Sequence, residues 1–270
     1  MAQRPARVDT TRKRVRVASA VIIAPPVLAA IYFGTPYMEI FILATGAIVA
    51  WEWARLCGGG ELTLHGWVAV GAVVGALFAG SLEHYAVAMV IAITAAVGLA
   101  GLLIHGRSPA AVWLPSGVIY LTAAGLGLLF LRGRPEDGWQ VIFWLLAVVW
   151  ATDTGGFVAG RTIGGPKLAP TVSPNKTWSG LAGAMLAAGV VGAMAGSFWP
   201  GRDSLMLGLT SLGLALIAQA GDLFESRLKR RFGAKDSSQL IPGHGGLLDR
   251  VDGVLPVGLV VTLIFWWIGQ

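Results

Sequence analysis

The organisation of this chain is decided by residues 226–252, which read S-R-L-K-R-R-F-G-A-K-D-S-S-Q-L-I-P-G-H-G-G-L-L-D-R-V-D. This segment lies between two long apolar runs and carries nine of the 34 charged residues of the chain. Two further carboxylates, Asp222 and Glu225, precede it. Carboxylates bind hard cations, and lysines and arginines bind phosphate. The pattern therefore predicts metal-dependent phosphate chemistry beside a membrane.

The composition indicates a membrane protein. Apolar residues make up 55% of the 270 residues, charged residues only 13%, and the mean hydropathy is +0.70. A soluble domain carries about 25% charged residues. The net charge of +6 could indicate a nucleic-acid partner, but the basic residues flank apolar runs, so we expect anionic membrane lipids and no nucleic acid. A single cysteine, Cys57, excludes an intramolecular disulfide and a thiolate-cluster metal site.

Apolar runs of about 20 residues predict membrane-spanning helices. We expect an all-α, polytopic integral membrane protein with about nine transmembrane helices. The predicted spans are 17–34, 37–55, 65–81, 84–105, 113–131, 139–159, 178–199, 204–224 and 251–269. The basic start followed by an apolar run could also be a cleaved signal peptide, but the run is long and another span follows at once.

Lysine and arginine predict the orientation. With the N-terminus in the cytoplasm, seventeen of the twenty fall on the cytoplasmic side, in agreement with the positive-inside rule. Loops 160–177 and 225–250 then face the cytoplasm, and the C-terminus at Gln270 faces outside. We expect a multi-pass protein of the inner (plasma) membrane whose active site faces the cytoplasm. Its predicted regions are a basic cytoplasmic N-terminus (1–16), about six N-terminal transmembrane helices (17–159) and a C-terminal catalytic membrane region (160–270).

Asp153 lies near the end of the sixth predicted span, in W-A-T-D-T-G-G-F. A carboxylate at that depth is energetically unfavourable and is therefore a candidate functional group. The alternative is a helix-end residue that pairs with Arg161 or with a neighbouring helix.

The segment Gly164–Gly180 is a second candidate. Thr177 is placed to cap the seventh span, and Lys176 beside the free amides of that helix start favours a phosphate. The P-loop spacing G-x-x-x-x-G-K-[ST] is absent. The alternative is a capped connector whose lysines lie at the membrane interface.

The ends of the last two spans carry paired polar residues. If the eighth span continues as a helix, Asp222, Ser226 and the basic residues one turn further on share one face. Asp249 and Asp252, three residues apart at the start of the ninth span, also share a face. The glycine-rich turn between them and Asp222 could bring Asp222 near Asp249. Two carboxylates from separate helix ends can hold Mg²⁺ and leave positions open for phosphate oxygens.

Two features of the same segment stay open. His244, between glycines, could be a metal ligand, a phosphate donor or an exposed residue without a special role. The basic run Arg227–Arg231 is a topology signal, which does not exclude phosphate binding and leaves the aspartates unexplained.

Together these segments resemble the phosphatidate cytidylyltransferases (CDP-diacylglycerol synthases). Residues 226–252 resemble the long signature of that family. The resemblance extends to Trp51–Leu56 (W-E-W-A-R-L), Trp150–Phe157 and Lys167–Trp178 (K-L-A-P-T-V-S-P-N-K-T-W), and covers most of residues 50–252. One departure is Ser179, where many relatives have Glu, which affects a minor contact.

The resemblance implies an integral membrane enzyme that joins CTP and phosphatidate to give CDP-diacylglycerol and pyrophosphate. It also implies a need for Mg²⁺, often with K⁺ beside it, and a homodimer. We expect the metal ligands to be Asp222, Asp249 and, more weakly, Asp252. The expected catalytic residues are Asp153, Asp222, Lys229, His244 and Asp249. The residues expected to bind substrate are Lys167, Ser173, Asn175, Lys176, Thr177, Arg230, Lys235 and Arg250.

Two other functions are compatible with parts of the pattern. A CTP-dependent polyprenol or phytol kinase would transfer the γ-phosphate, but the full K-R…K-D…H-G-G…D-R-x-D pattern favours the cytidylyltransferase. A transporter would use Asp153 and Asp222 in a midplane ion path. Against it, the charges cluster at one face and the sequence has no paired, inverted broken helices.

Overall fold

The computed structural model of the protein describes residues 24–241 and 245–268. Most of this part is helical. The helices are α1 Ala24–Phe33, α2 Tyr37–Cys57, α3 Leu64–Ser81, α4 Tyr85–His105, α5 Trp113–Arg132, α6 Gly138–Thr162, α7 Trp178–Phe198, α8 Ser204–Arg231, α9 Leu248–Val251 and α10 Val254–Ile268. Two short strands, β1 Lys167–Ala169 and β2 Ser173–Thr177, lie between α6 and α7.

Seven of the described helices, α2 to α8, are long and apolar enough to cross a membrane. They coincide with seven predicted spans, from 37–55 to 204–224. The prediction of a polytopic, helical membrane protein is therefore confirmed. The helices α1 and α10 are apolar but shorter. The basic N-terminus, much of the first predicted span and Gln270 lie outside the described residues.

The helices pack in two groups that α10 connects. Helices α2 to α5 contact one another, α6 to α8 form the second group, and α10 packs on α5, α6 and α8. Glycines bring α6 close to α7, because a Cβ at Gly155 would lie 2.6 Å from the carbonyl oxygen of Gly183. This approach places the second half of α6, which carries Asp153, beside the start of α7.

The expected loop 160–177 contains a two-stranded antiparallel hairpin. Lys167 lies opposite Thr177, and Ala169 lies opposite Ser173. Thr177 caps α7 as predicted, since its Oγ1 accepts a hydrogen bond of 3.1 Å from the amide of Gly180. Lys176, the last residue of β2 before the cap, therefore lies next to the first turn of α7.

The ninth predicted span differs from the structure at its start. Instead of one helix from residue 251, the short helix α9 is followed by a turn at Asp252 and Gly253, and α10 begins at Val254. Glycine weakens a helix interior, and Pro256 is tolerated in a first helical turn. Asp249 therefore lies in α9 and Asp252 in the following turn, not together on one continuous helix. A Cβ at Gly221 would collide with the carbonyl oxygen of Asp252, so α8 and this turn are in close contact.

Candidate active site

The predicted site residues converge at one end of the bundle, where α8 meets β2. The Nζ of Lys176, on β2, lies 2.5 Å from Oδ2 of Asp222 on α8. The hydroxyl of Ser226 donates to Oδ1 of the same carboxylate at 3.3 Å, which confirms the predicted shared helix face. Lys176 thus neutralises Asp222, although the two residues are 46 positions apart in the chain.

A second lysine lies between two carboxylates. The buried Nζ of Lys229 is 2.5 Å from Oδ1 of Asp249 and 3.2 Å from Oε1 of Glu225. Oδ2 of Asp249 accepts hydrogen bonds from the amide of Ser237 (3.0 Å), the hydroxyl of Ser237 (2.9 Å) and the amide of Gly246 (2.8 Å). Burial raises the pKa of Asp249, but these bonds outweigh it, so the pKa lies below its usual value. Asp249 is therefore an anion with a fixed orientation.

Further carboxylates lie close to these two. Burial, followed by the charges of Asp222 and Asp153, raises the pKa of Asp252. Glu225 is buried, and its Oε1 has the ammonium of Lys229 as an ion-pair partner at 3.2 Å. This end of the bundle therefore gathers several carboxylates close enough to disfavour one another's charged form.

Asp153 opens into a cavity. Arg161, one of the partners considered in the alternative interpretation of Asp153, has its guanidinium 5.8 Å from the ring centre of Phe157. The cavity has a volume of about 620 Å³ and lies between α1, α2, α5, α6 and α10. Its walls are mostly apolar, and Asp153 and Arg250 are the charged residues that line it. The site thus combines a charged end with an adjoining apolar chamber.

Several other predicted site residues in the described part of the chain do not take part in these ion pairs. Lys167, Asn175, Arg230 and Lys235 are exposed, and Arg230 donates to the carbonyl oxygen of Ala234 at 3.0 Å. Ser173 is partly buried in β2. His244 lies outside the described residues.

One residue of the site escaped the sequence analysis. Glu52, on α2, is fully buried and accepts hydrogen bonds from the segment that carries Asp249. A signal was present, because a carboxylate between two tryptophans inside a predicted span is as unfavourable as Asp153. Nothing in the sequence, however, pairs residue 52 with residues about 190 positions away.

The described residues contain no group of three or more His, Cys, Asp or Glu side chains arranged to hold a metal ion. The expected ligands Asp222 and Asp249 are each paired with a lysine. The third expected ligand, Asp252, lies in the turn whose backbone contacts α8 at Gly221. Oxygen ligands of this kind do suit Mg²⁺. The buried carboxylate of Glu225, beside Lys229, adds further oxygen atoms of the same kind.

Comparison with known proteins covers nearly the whole chain. The model of the family described as "Cytidylyltransferase family" matches residues 14–268. A protein of Brucella suis named phosphatidate cytidylyltransferase is 36% identical over 92% of this chain and 91% of its own length. Proteins with the same name from Rickettsia bellii and Mycobacterium leprae are 37% and 40% identical over 66% and 56% of this chain, and over 78% and 46% of their own lengths. Because the family model matches nearly all of the sequence, the chain belongs to the cytidylyltransferase family.

Proposed function

We propose that the protein is a phosphatidate cytidylyltransferase, which converts CTP and phosphatidate to CDP-diacylglycerol and pyrophosphate. The observation that carries this proposal is the similarity over 92% of the chain to a protein of that name. The convergence of lysines and carboxylates beside an apolar cavity supports it, since the two substrates are a charged nucleotide and a lipid.

In this reaction an oxygen of the phosphatidate phosphate attacks the α-phosphorus of CTP, and pyrophosphate leaves. The nucleophile is already an anion, so the protein has to bring two anions together and stabilise charge on the leaving group. Lys176 and Lys229 are proposed to exchange their carboxylate partners for phosphate oxygens when the substrates bind. Lys167, Asn175, Arg230, Lys235 and Arg250 are proposed as further donors for the two substrates, and His244 is proposed to donate to a phosphate.

Mg²⁺ is the proposed cofactor, with K⁺ beside it, and Asp222, Asp249 and Asp252 are the residues that would hold it. When bound, the metal would neutralise charge on the phosphate oxygens. Asp222 and Asp249 are each in an ion pair with a lysine. The two lysines would therefore have to move away from these carboxylates when the metal binds. Asp153 is proposed to orient the set from the cavity side.

The lipid is proposed to occupy the cavity of about 620 Å³, with its phosphate near Asp153 and Arg250 and its acyl chains against the apolar walls. We further propose that α1 and α10 also cross the membrane, which gives nine crossings, that the site faces the cytoplasm across the inner membrane, and that the protein is a homodimer. CTP is available on that side only.

The test uses purified protein in detergent with phosphatidate, Mg²⁺ and CTP labelled at either the α- or the γ-phosphate. The proposal predicts that the α-label enters the lipid fraction and that the γ-label leaves as pyrophosphate. A polyprenol kinase would instead place the γ-label in the lipid when a polyprenol is supplied. Absence of α-label in the lipid, with folded protein, would contradict the proposal.

A further inference from the structure

Glu52 is the only carboxylate of the described α2–α5 group that reaches the segment carrying Asp249, which we call the signature loop (residues 236–249). Its Oε1 accepts hydrogen bonds from the hydroxyl of Ser238 at 2.5 Å and the amide of Leu247 at 2.9 Å. Its Oε2 accepts from the amide of Leu248 at 2.6 Å. One carboxylate therefore binds both sides of the loop.

The two sides of the loop also meet each other. The amide of Ile241 donates to the carbonyl oxygen of Gly245 at 2.8 Å, and the two residues form an antiparallel bridge. Without Glu52, the buried amides of Leu247 and Leu248 would lose their acceptor, which is unfavourable for groups removed from water.

Ser237 connects Glu52 to Asp249. Its hydroxyl lies 2.9 Å from Oδ2 of Asp249 and 3.3 Å from Oε2 of Glu52, and its single proton can bond only one of them at a time. Its amide also donates to Asp249, at 3.0 Å. The loop backbone that Glu52 holds is therefore the same backbone that orients Asp249.

The close approach depends on a glycine at position 246. A Cβ there would collide with the hydroxyl of Ser237 and lie 2.5 Å from Oε1 of Glu52. The amide of Gly246 meanwhile donates to Asp249. The absence of a side chain at position 246 therefore lets the loop backbone lie directly against the carboxylate of Glu52.

We infer that Glu52 is a positioning residue for the transfer reaction, which acts by fixing the signature loop and through it the orientation of Asp249. This inference rests on the proposed function. Glu52 does not touch the predicted substrate-binding lysines, and it acts through Ser237, Leu247 and Leu248. Its loss should therefore lower kcat, by analogy with residues that orient a ligand from outside, while substrate affinity changes little.

The test compares wild type with Glu52→Gln, which keeps the shape of the side chain but turns one oxygen into an amide that opposes the donors of the loop. We expect hydrogen exchange of a peptide covering 237–248 to be about tenfold faster, as the loss of hydrogen bonds to a charged acceptor implies. We also expect kcat to fall about 10–100-fold, with the KM for CTP within about twofold of wild type. Glu61→Gln, an exposed glutamate after α2, is the matched control and should change neither value.

Unchanged exchange in 237–248 would overturn the inference, because the loop would then not depend on Glu52. Faster exchange with unchanged kcat, or an effect on KM alone, would overturn the positioning role. If Glu52→Gln does not fold, the variant Ser238→Ala takes its place, because it removes one of the donors to Glu52. It should give a smaller change in hydrogen exchange and in kcat. No change in either measurement would contradict the inference. If wild type makes no CDP-diacylglycerol, the proposed function fails while the exchange measurement still tests the hold of Glu52 on the loop.

Discussion

Two polar clusters lie at opposite ends of helices α6 and α8, and they differ in how their charges are matched. At the start of the helices, Asp137 accepts from Arg134 at 2.7 Å and from Arg202 at 2.5 Å. Both guanidinium groups also lie about 5 Å from the ring centre of Phe265. We call these residues the balanced cluster. Each of its charges has a fixed partner.

The other end, which we call the reactive end, contains several carboxylates that lie close to one another. Asp153, Asp222, Glu225, Asp249 and Asp252 gather from α6, α8, α9 and the turn before α10, around two buried or partly buried lysines. Like charges that crowd together in a folded protein destabilise it unless something binds there. At one end a single carboxylate held by two arginines serves packing, while the group of neighbouring carboxylates at the other end suits ions and charged substrates.

The largest effect is expected from Asp222→Asn and Asp249→Asn. Each removes one negative charge from the reactive end, and we expect turnover to fall on the order of 100-fold or more, as for a lost preorganised electrostatic contact. The measurement is the rate of CDP-diacylglycerol formation at saturating and at limiting Mg²⁺. Near-normal activity of either variant at limiting Mg²⁺ would show that its carboxylate does not serve the metal.

The two variants should differ in stability. Asp249→Asn leaves the buried Lys229 with only the more distant carboxylate of Glu225 among its two ion-pair partners and weakens the bonds from Ser237 and Gly246. Asp222, in contrast, lies at a more exposed position. We therefore expect a lower melting temperature for Asp249→Asn than for Asp222→Asn. Elution as a folded particle from size exclusion is the control for both.

A smaller effect is expected from Lys176→Ala. The change frees Asp222 from its ion pair and removes a cation beside the start of α7, so we expect the KM for CTP or for phosphatidate to rise by about tenfold, the value of one lost charge-assisted contact. Asn175→Ala, its exposed neighbour on β2, is the matched control and should have a milder effect. Unchanged kinetics of Lys176→Ala would leave the hairpin with a structural role only.

The smallest effect on catalysis is expected at the balanced cluster. Asp137→Asn should leave kcat and KM unchanged and lower the free energy of unfolding by about 1–2 kcal/mol, since its bonds are to charged groups that are partly exposed. Burial raises the pKa of Asp137, but the two arginines outweigh it and hold the pKa below its usual value. Its stabilisation is thus present above the usual aspartate pKa and is lost as the pH falls through the lowered value. A loss of activity equal to that of Asp222→Asn would remove the distinction between the two ends.

Hydropathy and local spacing predicted what depends on neighbours in the chain. The seven long helices, the cap at Thr177 and the contact of Ser226 with Asp222 all follow from periodicity or from single turns. The pairings of Lys176 with Asp222 and of Glu52 with the signature loop join segments that only tertiary packing brings together. The break between α9 and α10 was missed because an apolar run with one glycine looks continuous in hydropathy.

The most direct test of this account is the side of the membrane on which each end lies. In a Cys57→Ala background, single cysteines replace Gln239 at the reactive end and Glu136 beside the balanced cluster, both exposed positions. In intact cells an impermeant maleimide should label the cysteine at 136 and should reach the one at 239 only after the membrane is opened. Labelling at 239 from outside would separate the reactive end from cytoplasmic CTP and would contradict the account.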